Sequence, residues 1–204
     1  MQYLDSLDNS EVIKNTLFKI FENERTKYNY SKDNLQTMAV TIHPHFTVWL
    51  ASLQLLELGG KAIKHNTIEE IFGTNVFNEG PHSLLALKTF GQLGPYTIHH
   101  YERCQGSIRN VYEYANPEKI NVLYAFMICC ELSSFLYIDW KAALIRFGVK
   151  DLFYFDVHLQ ADNLNDGHGI QMLNALSTDT NMTIWQFNQG IQLFIDFFGS
   201  IFIN

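Results

Sequence analysis

The sequence predicts an all-α protein, a single-domain helical bundle spanning residues 1–204 with about seven to nine helices. Three observations predict it. Apolar residues recur at 3.6-residue spacing over long stretches. Only four prolines interrupt the 204 residues. No Asn-Gly or Asp-Gly pair is flanked by alternating apolar residues, so the usual hairpin signal is missing. Hydrophobic residues at 47% and charged residues at 17% describe a chain that buries a sizeable core. There is no internal repeat, linker or low-complexity segment.

Residues 10–27 read as the first helix, with Ser10 a possible N-cap and Val12, Ile13, Leu17, Ile20 and Phe21 following one face. Residues 31–58 continue as helix with an interruption at His43-Pro44, because proline disfavours helix in the residue before it. Gly59-Gly60 ends that run. A short helix over 66–72 and a loop over 73–80 follow. Pro81 suits a first helical position and opens a helix to Leu93. Gly94-Pro95 separates it from a helix over 96–114, and Pro117 opens another to about Tyr137. A short helix over 140–146 ends at Gly148. Asp151 caps a helix expected to run past His168 to Leu176, and residues 183–203 close the chain as an apolar helix.

Several function classes fall away on composition. A formal charge of −7 and scattered Lys and Arg leave no basic stripe for nucleic acid. Three cysteines, two of them adjacent (Cys129 and Cys130), make neither a disulfide framework nor a zinc-spaced pair. The first eight residues lack a basic segment followed by an apolar one, so the expectation is a cytoplasmic protein without a signal peptide. The greasy closing segment is broken by Gln186, Asn188, Gln189, Gln192 and Asp196, which suits a buried or partner-facing helix better than a membrane span.

The chemistry concentrates in residues 153–169, which carry His158, Asp162, Asp166 and His168. At about 100° per residue a helix puts His158 and Asp162 one turn apart on one face, where imidazole and carboxylate can share a metal ion. That donor pair suits iron, manganese or zinc. His168 lies about 120° off this face of an unbroken helix. Asn163, Asn165, Asp166, Gly167 and Gly169 are poor helix formers, so a bulge or unwound turn there would bring it back. The competing reading is an ordinary turn with locally satisfied histidines.

Glu131 is the second signal, a carboxylate after an apolar run with Met127, Ile128 and Phe135 as its helical neighbours. Burying it is costly unless it is paired or binds a metal. Glu79 and His82 form a third, a Glu-x-x-His spacing that recurs in di-iron carboxylate proteins. Glu57 and His65 are a fallback pair. His43, His45, His99 and His100 read as hydrogen-bonding partners, Glu102 and Glu113 as solvated, and Tyr124 and Tyr154 as core or as phenols near a metal. Cys129 and Cys130 lie in an apolar helix without an activating base.

The order of these groups, Glu-x-x-His, a buried helical Glu, then Phe-Tyr-Phe-Asp-Val-His-Leu-Gln-Ala-Asp over residues 153–162, resembles the haem-oxygenase-like diiron oxidases and oxygenases, often labelled iron-containing redox enzymes. Residues 81–94 look like that family's helix after its first His ligand, and the likeness is best over 79–170. The resemblance implies a haem-oxygenase-like bundle of about seven core helices and a non-haem di-iron centre of Fe(II)/Fe(III). It implies O2 as co-substrate and oxidation of a small organic substrate by N-oxygenation, C–C cleavage or oxidative decarboxylation. The implied ligands are Glu79, His82, Glu131, His158, Asp162 and His168, with Glu131 in the catalytic centre. Two features depart from the family pattern. Five residues, not two, separate Asp162 from His168, leaving Asn165 where the usual His stands, and Gly80-Pro81 lies inside the Glu-x-x-His motif.

An external electron donor and a homodimer through the closing helix are compatible partners; no nucleic acid or membrane partner is expected. Two other classes remain open. One is a metal-free enzyme resembling thiaminase II with Cys129 or Cys130 as nucleophile. The other is a non-catalytic helical protein that dimerises through residues 183–203.

Overall fold

A computed structural model describes residues 3–56, 58, 60–73 and 80–203 of the chain. Among them every regular element is helical: α1 (Ser10–Arg25), α2 (Lys32–Thr41), α3 (His43–Leu55), α4 (Gly60–Phe72), α5 (His82–Gly91), α6 (Ile98–Glu102), α7 (Gln105–Tyr112), α8 (Ile120–Leu132), α9 (Leu136–Arg146), α10 (Phe153–Ala161), α11 (His168–Asp179) and α12 (Ile184–Phe202), with one 3₁₀ turn at Ser133–Phe135.

The boundaries follow local chemistry. Asn9, not Ser10, caps α1, accepting from the backbone N–H of Glu11 and Val12. Ser31 caps α2 through the Asn34 N–H, and the chain breaks between Thr41 and His43 where Pro44 demands it. The helix expected over 66–72 begins earlier, at Gly60, whose φ of 45° only glycine adopts readily. The run over 96–114 divides into α6 and α7 at Arg103 and Cys104, where the Arg103 side chain reaches Asp33 at 2.6 Å and the Ile201 carbonyl at 3.0 Å. Thr183 and Gln186 form a capping box at the start of α12.

α8 is the axis of the molecule. All of its residues except Asn121 are buried, as a helix enclosed on every side must be. α12 lies against it closely because of Gly190. A Cβ there would stand 2.4 Å from Ala125 Cβ and 2.9 Å from the Val122 carbonyl oxygen. α1, α3 and α11 pack around the same axis. Trp49 of α3 meets Phe126 of α8 and Phe197 of α12 edge to face, with ring centroids 5.4 and 5.7 Å away. Leu193 and Phe197, which lie outside the main stripe of α12, are used in this internal core. Ile184 and Trp185 at the head of α12 stay exposed.

By length and hydropathy the stretch Ile120–Arg146 would suffice to cross a membrane, yet 83% of its most apolar part is buried by the other helices. Six of the buried polar residues, Glu131 among them, collect where α4, α5, α8, α10 and α11 meet.

Candidate metal centre

Helices α4, α5 and α10 bring Glu70, His82 and His158 together, all buried. His82 Nδ1 lies 2.8 Å from Glu70 Oε1, and His158 Nε2 lies 3.9 Å from the same oxygen. The other nitrogen of His158, Nδ1, is bonded to the Tyr154 carbonyl at 2.9 Å one turn back. That bond fixes the imidazole so that Nε2 faces the cluster.

A second group of three stands beside the first: Glu131 from α8, Asp162 just past the end of α10 and His168 at the start of α11. His168 Nδ1 is 3.2 Å from Asp162 Oδ1 and 3.9 Å from Glu131 Oε2. Asn66 Nδ2 donates to Glu131 Oε1, and Ser134 Oγ donates to the Asp162 carbonyl at 2.9 Å. On its outer side His168 Nε2 meets Glu69 Oε2 at 2.6 Å.

The helix expected to run from 151 to 176 is therefore two helices, and the break assembles the second group. Asn163 Oδ1 accepts from the backbone N–H of Asn165 and Asp166 at 3.0 and 3.1 Å, folding the five intervening residues into an Asx-type turn. Gly169 then lets α11 start against α8. A Cβ on it would fall 2.8 Å from Leu132 Cγ and 2.9 Å from the Leu132 backbone nitrogen. Asn165 itself is exposed.

Protonation follows from burial and these contacts. Burial lowers His158 and His43, with the neighbouring histidines adding to the effect, so both are neutral near pH 7. Burial would also lower His168, but its hydrogen bonds to Asp162 and Glu69 outweigh that and raise it to about 11. Burial alone would raise Asp162; the bond and charge of His168 keep it below the ordinary carboxylate range. Burial and then the nearby Asp162 charge push Glu131 well up, which favours its protonated form in the metal-free centre.

The donors suit metal ions. Buried imidazoles and carboxylates are the ligands of iron, manganese and zinc. Among the described residues no Lys or Arg pairs with Glu70, Glu131 or Asp162. Glu70 Oε2 is buried and has no hydrogen-bond partner among them. A buried carboxylate oxygen left in this state is costly, and a cation removes the cost.

Residues of both groups, among them Glu70, His158, Glu131 and Asp162, line one internal cavity whose other walls include Phe46, Trp140 and Phe198. It gives about 30 Å³ to the centre of a water-sized sphere, room for roughly two waters or one dioxygen. Tyr154 and Tyr137 stand on its wall, and Tyr154 Oη is hydrogen-bonded to His43 Nε2 at 3.0 Å. Cys130 also reaches the wall. Burial pushes its thiol and that of Cys129 well above the ordinary range, which disfavours the thiolate a Cys nucleophile requires.

Of the residues singled out by sequence, His82, Glu131, His158, Asp162 and His168 meet here. Glu79 lies outside the described residues, as does Glu57 of the fallback pair. His99 is exposed, His100 is tied to Asp33 at 3.1 Å, and His45 to Tyr112 at 2.8 Å. Glu102 and Glu113 are solvent-exposed. Sequence reasoning missed Glu70 and Glu69. A signal for Glu70 existed. It continues the i, i+3, i+4, i+7 stripe of Ile63, Asn66 and Thr67, all buried, so one helix face carries three polar residues inward. Comparison with protein-family models, with curated proteins and with solved structures finds no match to the chain, and the character of the centre rests on its geometry.

Proposed function

We propose that the chain is a non-haem di-iron protein that uses O2 to oxidise a small organic substrate. One observation carries this reading: two buried groups, Glu70/His82/His158 and Glu131/Asp162/His168, lie side by side, and Glu70, His158, Glu131 and Asp162 line one cavity with room for dioxygen and aromatic side chains on its other walls. The first group would hold one ion and the second the other. Iron bound there would supply the electrons that reduce O2. Imidazole and carboxylate suit it because they serve both its oxidation states and leave positions open.

The chain's own part is positional. The Tyr154 carbonyl orients His158, Asn66 orients Glu131, and the turn after Asp162 delivers His168. Phe46, Trp140 and Phe198 keep bulk water from the inner wall. The small cavity limits the reacting part of the substrate to a slender group, and a larger one requires the aromatic wall to move. The haem-oxygenase-like arrangement of about seven core helices belongs to the same proposal, supported by the chain order of His82, Glu131, His158, Asp162 and His168 within an all-helical fold. Glu70 supplies a carboxylate beside His82, the kind of partner that the resemblance implied in Glu79.

The test is anaerobic Fe(II) titration followed by an O2 pulse, watched by optical and Mössbauer spectroscopy. The expected result is about two irons per chain and an O2-dependent transient. Folded protein that takes up no iron would overturn the proposal.

A further inference from the structure

Glu69 and Glu70 are neighbours on α4, about 100° apart around the helix. Glu70 turns inward to His82, while Glu69 reaches the far side of His168. Glu69 is no member of either three-residue group. It meets Nε2 of His168, whereas Nδ1 of the same ring faces Asp162 and Glu131. A metal ion among Glu131, Asp162 and His168 would therefore use Nδ1, and Glu69 would stand behind the ring as the acceptor of Nε2–H. The other oxygen of Glu69 lies 3.5 Å from the exposed His65, one turn earlier on the same helix. Glu69 thus joins the inner ring to the surface of α4.

We propose that Glu69 is a positioning residue for the second metal ion: by accepting from His168 Nε2 it fixes the ring with Nδ1 turned to Glu131 and Asp162. This rests on the metal reading above and extends it to a residue outside the ligand set. Metal-bound histidines commonly donate their second N–H to a carboxylate, and loss of that carboxylate weakens metal binding. α4 serves both ions from adjacent residues, one as ligand and one as support. His168 needs such support because it opens α11 directly after a loop and has no preceding helical turn to hold it.

The experiment is a Co(II) titration of the metal-free protein against a competing chelator, with Glu69→Ala and Glu69→Gln alongside. Glu69→Ala is expected to weaken one of two binding steps by about 10–100-fold and leave the other unchanged. Glu69→Gln keeps an oxygen for Nε2–H and is expected to stay within about threefold of the parent at both steps. Equal affinity of parent and Glu69→Ala, equal weakening of both steps, or a Glu69→Gln as impaired as Glu69→Ala would overturn the inference. A second readout needs no metal. In ¹H–¹⁵N spectra the His168 Nε2–H is expected to be protected from exchange in the parent and Glu69→Gln, and unprotected in Glu69→Ala. If the parent binds no Co(II) but this protection follows residue 69, the metal reading fails while the hold on the ring stands. If protection is indifferent to residue 69, the inference fails whatever the metal does.

Discussion

Asp162 stands one helical turn beyond His158, its backbone N–H donating to the His158 carbonyl at 2.9 Å, and the two side chains serve different groups. His158 faces Glu70 and His82, while Asp162 faces Glu131 and His168. A single turn of α10 with its end thus spans both halves of the centre.

His158→Ala and Asp162→Ala are therefore expected to remove different ions. Iron per folded chain, measured after anaerobic loading and desalting, should fall from about two to about one in each variant and to none in the double variant. Loss of both ions in either single variant would show one shared site rather than two adjacent ones.

The metal-free protein is expected to lose stability as pH rises above neutrality. His168 is raised from 6.5 to about 11, so its contribution is complete below about 6.5 and is lost progressively as pH climbs to about 11. Glu131, pushed up by burial, works in the same direction, since ionising it in place is unfavourable. Asp162, held low, adds stability above its ordinary value that disappears only in acid. Thermal midpoints recorded at pH 6, 7.5 and 9 should fall in sequence, and His168→Leu should flatten the trend. Uptake of the second ion should show the opposite slope, improving with pH, because the ion must displace the proton on His168 Nδ1. A midpoint that rises between pH 6 and 9 without metal would refute the charge assignment.

The sequence reveals the parts of this centre where a charge interrupts an apolar run. Glu131 inside α8 and the His158/Asp162 pair after an aromatic run are visible for that reason, and helical spacing gives the one-turn relationship. Ser31 and Thr183 announce their helix starts through side chains that cap them. Glu70 is harder to see. Two adjacent acids on a polar helix look like a solvated face, and the inward stripe that Glu70 continues begins at Ile63, in a helix that starts at Gly60, six residues before the start expected from sequence. The poor helix formers after Asp162 foretell a break but not its form. Its geometry depends on how α11 meets α8, a tertiary contact with no local trace beyond the glycines themselves.

That contact can be tested at Gly169. An added methyl would lie 2.8 Å from Leu132 Cγ and 2.9 Å from the Leu132 backbone nitrogen, so α11 must retreat from α8. Gly169→Ala is expected to cost about 1–3 kcal/mol and to carry His168 away from Glu131, reducing iron per chain. Gly106 in α7 is the control, for it is exposed and a Cβ there meets nothing within 4 Å. Gly106→Ala should gain about 0.5–1 kcal/mol and leave iron binding intact. Denaturant unfolding with iron analysis on both variants separates crowding at one helix junction from a general effect of adding a methyl group.

Tyr154 lies ring to ring with His158, centroids 4.1 Å apart, and two of its polar contacts differ in what a mutation can remove. Its carbonyl holds His158 Nδ1 at 2.9 Å, and its hydroxyl holds His43 Nε2 at 3.0 Å. Tyr154→Phe deletes the second, together with the hydroxyl's bond to Tyr137, and leaves the first. His43 is buried and neutral, so leaving its nitrogen without that partner is expected to cost about 1–3 kcal/mol. In a chain of this length that corresponds to a fall of roughly 2–12 °C in melting temperature. The backbone contact that orients His158 survives, so iron per chain should stay at the parent value. Melting curves and metal analysis on the same preparation decide the matter. A destabilised variant that still binds its full iron assigns the hydroxyl to the His43 contact and the orientation of His158 to the helix backbone. A variant that loses iron would mean that the phenol, through His43 or the cavity wall, is what keeps His158 in place.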